Sequence, residues 1–265
     1  MESLKGIRVG GVYWTNDGFV EVLHIQNSYE IQIKFLNPEW ITFTGGGELR
    51  SGEVKNRMKP SIQGVGYLGN SPEIRRTDKI GQLAFDTWRG MLKRCYNPTG
   101  RYEPETYNGI TVSNIWHNFE NFHSWYIEKL TNLPDVDFTW QLDKDLLFPG
   151  NKIYSPEVCC LVPHAVNSLF TDCGRSRGQY PLGVFKSGNK YQAQCRHPFK
   201  PRIIGRYSKI SEAQVAYWEQ KFDAIKTVTL ANWSYLPEPL ALRLIQFGWK
   251  DAVAYYGDDA RIWIG

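Results

Sequence analysis

Alternation of apolar and polar residues at period two, broken by turn-forming clusters, is the feature that most narrows the folds open to this chain. It occurs in two places. Near the N-terminus lie Arg8-Val-Gly-Gly-Val-Tyr-Trp14, Phe19-Val-Glu-Val-Leu-His-Ile25, Tyr29-Glu-Ile-Gln-Ile-Lys-Phe35 and Trp40-Ile-Thr-Phe43. Thr15-Asn-Asp-Gly18, Gln26-Asn-Ser28 and Asn37-Pro-Glu39 separate them as turns. Strand side chains point alternately to opposite faces, so Ile31, Ile33 and Phe35 share one side and face a core. Residues 1–63 are therefore expected to form a small, strongly curved β-barrel of the Src-homology-three or Tudor type. Such barrels bind peptides, nucleic acid or nothing, and these residues do not choose.

The second place is Tyr180-Pro-Leu-Gly-Val-Phe-Lys186, Lys190-Tyr-Gln-Ala-Gln-Cys-Arg196 and Arg202-Ile-Ile-Gly-Arg-Tyr207, with breaks at Ser187-Gly-Asn189 and His197-Pro-Phe-Lys-Pro201. In the middle run Tyr191, Ala193 and Cys195 fall on one face, and Lys190, Gln192, Gln194 and Arg196 on the other. A helix is expected next, with Ser211 as N-cap and Ala213, Ala216, Tyr217, Phe222 and Ile225 near helical spacing. One face of a three-stranded sheet then packs on a helix while the other shows cations and amides. Charge singles out the same stretch. Arg175, Arg177, Lys186, Lys190, Arg196, Lys200, Arg202, Arg206 and Lys209 are basic, and no Asp or Glu lies between Arg175 and Lys209. The whole chain carries only +4, so everything outside the stretch is net acidic. Such a local excess is the electrostatic footprint of polyanion binding, since each cation that meets a phosphate releases a condensed counterion.

The order Tyr180…Gly183-Val184, Lys190-Tyr191-Gln-Ala193, Ile204-Gly205-Arg-Tyr207 and Ser211-Glu-Ala213…Ala216-Tyr217 resembles the Apetala-two DNA-binding domain over about residues 178–228. In that family the sheet reads major-groove edges and phosphates of double-stranded DNA. The resemblance implies this role for Lys186, Lys190, Gln194, Arg196, Arg202 and Arg206, with Arg175, Arg177 and Lys200 extending the basic surface. The family usually has Arg directly after Gly-Val, where this chain has Phe185.

Upstream, Asp143, Asp145, Asn151, Ser155-Pro-Glu157 and Asn167 resemble an eroded HNH nuclease motif, a ββα unit. The family's histidine after the first Asp is replaced by Lys144. The resemblance implies two readings. In one the unit is only a scaffold. In the other it is a metal-dependent endonuclease or nickase in which Asp143, Asp145 and Asn151 hold Mg²⁺ or Mn²⁺, His164 is the candidate base and Asn167 an orienter. Asp143 and Asp145 are expected on one side of a strand, and His164 and Asn167 on one face of a helix. A nuclease unit followed by an Apetala-two domain resembles phage homing endonucleases. The stretch from about 66 to 228, with Trp88, Met91, Arg94, Cys95 and Tyr96 and then Trp116, Phe119, Phe122 and Trp125, resembles proteins of tailed phages.

The rest reads as scaffold. Leu83, Trp88, Met91, Leu92 and Cys95, and then Trp116, Phe119, Phe122 and Tyr126, sit near helical spacing and are expected in a core. Gly64-Val-Gly-Tyr-Leu-Gly-Asn-Ser-Pro72 reads as a linker. The expected organisation is α+β: a barrel at 1–63, a helical and HNH-like region at 64–173, an Apetala-two-like region at 174–230, and a tail at 231–265 packing on the body. Five cysteines without a paired Cys-x-x-Cys argue against a zinc ribbon or a disulfide framework. No apolar run is long enough for a membrane and no signal-peptide pattern occurs, so a soluble intracellular protein is expected; the resemblance to phage proteins implies the cytoplasm of an infected bacterial cell. Its partners would be duplex DNA and, through the N-terminal barrel, a host or phage protein.

Overall fold

The computed structural model describes residues 3–71, 78–99, 107–131, 133, 140–170 and 179–262. The fold is mixed α+β with several small sheets, in two compact units, Met1–Ile127 and Glu128–Gly265.

In the first unit, β1 (Ser3–Leu4) and β2 (Ile7–Arg8) form a small hairpin. The strands β3 (Val12–Thr15), β4 (Gly18–Asn27), β5 (Glu30–Leu36) and β6 (Glu39–Thr44) make an antiparallel meander in that order. Alternation buries Val20, Val22, Ile25, Ile31, Ile33 and Phe35 on one face, joined by Ile7, Leu49 and Val54. Register shifts after Val22 and Ile25 bend β4. The expected barrel does not close. Each strand pairs only with its sequence neighbour, β3 and β6 remain edges, and the chain leaves β6 into the short helix α1 (Gly46–Ser51). Leu49 of α1 then covers the apolar face that a closing strand would have covered.

The expected linker is a tethered strap over its described part, 64–71. Tyr67 N–H donates to the His117 carbonyl (2.9 Å) and Asn70 N–H to Glu120 (2.9 Å), while Trp40 Nε1 donates to Asn70 Oδ1 (2.9 Å). Pro72 lies outside the described residues. Helix α2 (Lys79–Tyr96) starts at Asp78, whose carboxylate accepts the Gly81 N–H at 2.8 Å. It buries Ala84, Trp88, Met91 and Leu92, whereas Leu83 is 50% exposed and lies off the stripe. After the short strand β7 (Thr111–Val112), a turn carries Trp116 into helix α3 (Phe119–Thr131). Trp88, Trp116, Phe119, Phe122 and Tyr126 are buried as an aromatic core, and Trp88 Nε1 is satisfied by the Trp116 carbonyl at 2.7 Å.

In the second unit, β8 (Trp140–Asp143) leads through a loop holding β9 (Ile153–Tyr154) to β10 (Cys160–Pro163). β8 and β10 pair antiparallel, and the one-turn helix α4 (His164–Asn167) follows directly. The strands β11 (Val184–Ser187), β12 (Lys190–Gln194) and β13 (Ile203–Tyr207) form an antiparallel sheet in that order. Helix α5 (Ile210–Ala231) follows, longer than the expected run and capped by Lys209 rather than Ser211: Glu212 accepts the Lys209 N–H at 3.3 Å. Helices α6 (Glu238–Ile245) and α7 (Trp249–Tyr256) complete the unit.

One apolar core serves all of these elements. Val162, Val166 and Phe170 meet Val184 and Ala193 of the sheet, Tyr217, Trp218 and Ile225 of α5, and Leu240, Leu244 and Phe247 of the tail. Trp249 packs edge-on against Phe222 (5.4 Å between ring centres) and tilted against Trp218 (6.0 Å), so the tail docks on α5. No described helix is long and apolar enough to cross a membrane.

Candidate nucleic-acid interface

The three-stranded sheet owes its orientation to a glycine. Gly183 has φ +76°, and a Cβ there would sit 1.9 Å from Cδ2 of Tyr217 on α5. Only glycine lets the entry to β11 approach the helix this closely. The next turn, Gly188-Asn189, joins β11 to β12 with Gly188 at φ +61°, which fits a two-residue hairpin.

Register then assigns the faces. Val184, Ala193 and Gly205 stand opposite one another and look toward α5, as do Lys186, Tyr191 and Tyr207 two residues along. Phe185, Gln192 and Arg206 form the row on the other face. Lys190 belongs to that outer face and is exposed. A bulge between Ala193 and Gln194 sets one residue of β12 against two of β13. It turns Ile203, 55% exposed, onto the outer face opposite Gln194, while Ile204 packs on the core.

The basic residues therefore divide. Lys190, Arg196, Arg202 and Arg206 are exposed on the outer face or at its end. Lys186 lies on the helix side, with its ammonium 4.4 Å from the centre of the Tyr191 ring. Lys200 is paired with Asp223 of α5 at 2.6 Å, and His197 Nε2 lies 3.0 Å from the same carboxylate. The Lys200 ammonium, with a smaller contribution from His197, holds the Asp223 carboxyl below its ordinary range. Gln220 of α5 donates to the carbonyls of Cys195 (3.1 Å) and Pro201 (3.0 Å), clasping the loop between β12 and β13. Lys200 thus belongs to the clasp rather than to the outer face. Arg175 and Arg177 lie outside the described residues.

The hairpin of β8 and β10 holds the nuclease-like residues. Asp143 is the last residue of β8 and Asp145 lies beyond the strand, so the turn rather than strand alternation brings the two carboxyls together, where they share a side-chain hydrogen bond and act on each other's charge. Asp143 Oδ1 accepts the backbone N–H groups of Asp145 (2.9 Å) and Leu146 (2.7 Å), closing an Asx turn. Asp145 is held by the Lys144 ammonium (2.8 Å) and by the Tyr255 hydroxyl, which donates at 3.2 Å. Lys144 also donates to the Asn151 carbonyl (3.0 Å), and Asn151 Nδ2 donates to the carbonyls of Lys144 and Ile153, each at 2.7 Å. Lys144 and Asn151 therefore knit the loop together.

Burial, and then the charge of Asp145, push the Asp143 carboxyl up to about 7. Burial also pushes the Cys159 thiol up to about 12 and that of Cys160 well above its ordinary value, so neither is a nucleophile at neutral pH. Among the described residues no group of three or more His, Cys, Asp or Glu is placed to hold a metal ion.

His164 and Asn167 do come together, through a residue that sequence reasoning left out. Gln141 of β8 accepts a hydrogen bond from Asn167 Nδ2, and its own amide lies 2.8 Å from His164 Nδ1.

Phe185 and Gln192, on the polar face by alternation with buried Val184 and Ala193, share the outer row with Arg206. Comparison with family models, with characterised proteins and with solved structures gives no match for this chain.

Proposed function

We propose that this chain is a phage-type DNA-binding protein that grips duplex DNA through the outer face of the β11–β13 sheet. In this reading the β8–β10–α4 unit is an HNH-like scaffold without hydrolytic activity, and the sheet with α5 is an Apetala-two-like domain acting in an infected bacterial cytoplasm. The observation that carries it is the exposed cationic face itself. Lys190, Arg196, Arg202 and Arg206 are exposed, while no Asp or Glu occurs between Arg175 and Lys209.

The test is a mobility shift on duplex DNA over a range of salt. About four phosphate contacts give a slope of log K against log salt of roughly −3 to −4. Arg196→Ala and Arg202→Ala each flatten that slope by about one if they touch phosphate, or weaken binding by about 1–3 kcal/mol if they read bases. Binding that neither substitution changes would remove the sheet from the DNA face. Supercoiled plasmid incubated with Mg²⁺, Mn²⁺ or EDTA checks the scaffold reading. Metal-dependent nicking that an Asp143→Ala, Asp145→Ala double variant loses would make the protein an endonuclease instead.

A second reading has its own support, a host or phage protein bound by the N-terminal sheet. Trp14, Phe19, Ile41 and Phe43 are about half or more exposed on the face of the meander turned away from its core. A pull-down that Trp14→Ser abolishes while DNA binding persists would favour it.

A further inference from the structure

We propose that Phe199, at the tip of the loop joining β12 to β13, is a wedge whose ring inserts into a base step of the bound duplex, so that the protein favours DNA whose stacking is already weakened. The proposal rests on the DNA-binding reading above and adds a contact that lies off the face of the sheet.

The loop is built to hold this ring outward. Phe199 is 83% exposed. The Cys195 N–H closes the base of the loop by donating to the Arg202 carbonyl at 2.9 Å, and Pro198 and Pro201 fix two of its backbone torsions. The His197 side chain, only 2% exposed, ties the tip to α5 through both ring nitrogens. Its Nδ1 accepts the Phe199 N–H at 3.0 Å, and its Nε2 lies 3.0 Å from the Asp223 carboxylate. On the other side of Phe199, the Lys200 ammonium reaches the same carboxylate at 2.6 Å. Gln220, one turn before Asp223 on α5, holds the carbonyls of Cys195 and Pro201. The backbone is thus fixed on both sides of Phe199, while the phenyl ring itself stays outside, inclined to the His197 ring with 6.4 Å between centres.

A tip ordered before binding loses little conformational entropy when it makes a contact. Its surroundings select the partner. Arg196 and Arg202 flank the loop and are exposed, and no Asp or Glu occurs between Arg175 and Lys209, so phosphates are drawn to both sides of the ring. Between neighbouring phosphates of a strand the apolar surface on offer is the face of a base, and every base has one. Apolar side chains inserted at a step unstack it and kink the duplex, at a cost that falls where stacking is already weak. A lipid surface suits the loop less well, because stable anchoring takes more apolar area than a single ring.

The full chain is titrated against two labelled duplexes of one sequence, one fully paired and one with a central T·T mismatch beside 2-aminopurine. The wild type should bind the mismatched duplex about tenfold more tightly, since that duplex has already given up part of its stacking. The fluorescence of 2-aminopurine, which reports its stacking, should change on binding. Phe199→Ala should bind the two duplexes equally and leave that fluorescence unmoved, and Phe199→Trp should restore both effects. Phe199→Ala removes no charge, so its salt slope should match that of the wild type. Equal affinity of the wild type for the two duplexes, or a preference that Phe199→Ala keeps, overturns the proposal while duplex binding stands. Failure of the wild type to bind either duplex overturns the DNA-binding reading along with it. Binding to phosphatidylserine-containing vesicles that Phe199→Ala abolishes, with no preference for the mismatch, overturns it too and assigns the tip to a lipid surface.

Discussion

Gly183→Ala is the substitution whose cost the structure specifies most fully. Two separate penalties meet at this residue. Its φ of +76° is left-handed, where an L side chain costs about 1–2 kcal/mol. In addition, a Cβ would lie 1.9 Å from Cδ2, 2.2 Å from Cε2 and 2.5 Å from Cγ of Tyr217, all far inside van der Waals contact. Tyr217 is 4% exposed and wedged in the second unit's core, so the ring has little room to yield. Overpacking of that kind adds about 1–3 kcal/mol, for a total of roughly 2–5 kcal/mol. Gly188→Ala is the control, because Gly188 has φ +61° and open space around a new Cβ. It should cost only the backbone part, about 1–2 kcal/mol. Native-state hydrogen exchange of the β12 amides reads this loss in the unit itself, whatever the first unit does. Adding Tyr217→Ala should relieve the overlap and show a coupling of about 1–3 kcal/mol in a double-mutant cycle. Equal protection in Gly183→Ala and Gly188→Ala, or no coupling to Tyr217, would refute the close approach as the reason for glycine.

Asp143→Asn keeps an oxygen for the Asx turn but removes a buried charge. The wild-type carboxyl is raised in the folded state to about 7, so between about pH 4 and 7 the folded chain binds more protons than the unfolded one. Its stability should therefore rise as pH falls through 7. The variant should be more stable than wild type at pH 8 by at least about 1 kcal/mol, the equivalent of one pKa unit, and lose that advantage near pH 4 in urea titrations. Lys200→Ala should leave the salt slope of DNA binding within about half a contact, since its ammonium is committed to Asp223; a full unit lost would place Lys200 on the DNA after all. Asp223→Ala should loosen the 197–201 loop, seen as faster exchange at Phe199, whose N–H donates to His197 Nδ1 at 3.0 Å. EDTA should leave the mobility shift unchanged, and a chelation-sensitive shift would call for a metal in the DNA-bound form.

Much of the fold was legible because its signals are local. Alternation over Tyr29–Phe35 and Lys190–Cys195 depends only on the two-residue repeat of a strand, and the structure buries Ile31, Ile33, Phe35, Ala193 and Cys195 accordingly. The aromatic stripes at Trp88, Trp116 and Phe119 were equally local and form the expected core. Leu83 was misplaced because a helical stripe fixes only an approximate angle around the axis, and the neighbours of α2 decide where it ends.

Sequence by itself determined the strands, the turns at glycine and the concentration of positive charge between Arg175 and Lys209. Tertiary structure decided which of those charges are available. Lys200 is half exposed but ion-paired with Asp223, a residue on another element, and Lys186 falls on the helix side because its row is set by pairing with Tyr191 and Tyr207. The barrel stays open because α1 covers the edge of its core, and Asp145 leaves the strand because Asp143 caps the turn before it. The Gln141 bridge between His164 and Asn167 likewise joins two elements more than twenty residues apart. Periodicity constrains a residue against its own neighbours in the chain, whereas the Lys200–Asp223 pair and the Gln141 bridge are contacts between segments distant in sequence, and the Asp143 turn is local but aperiodic.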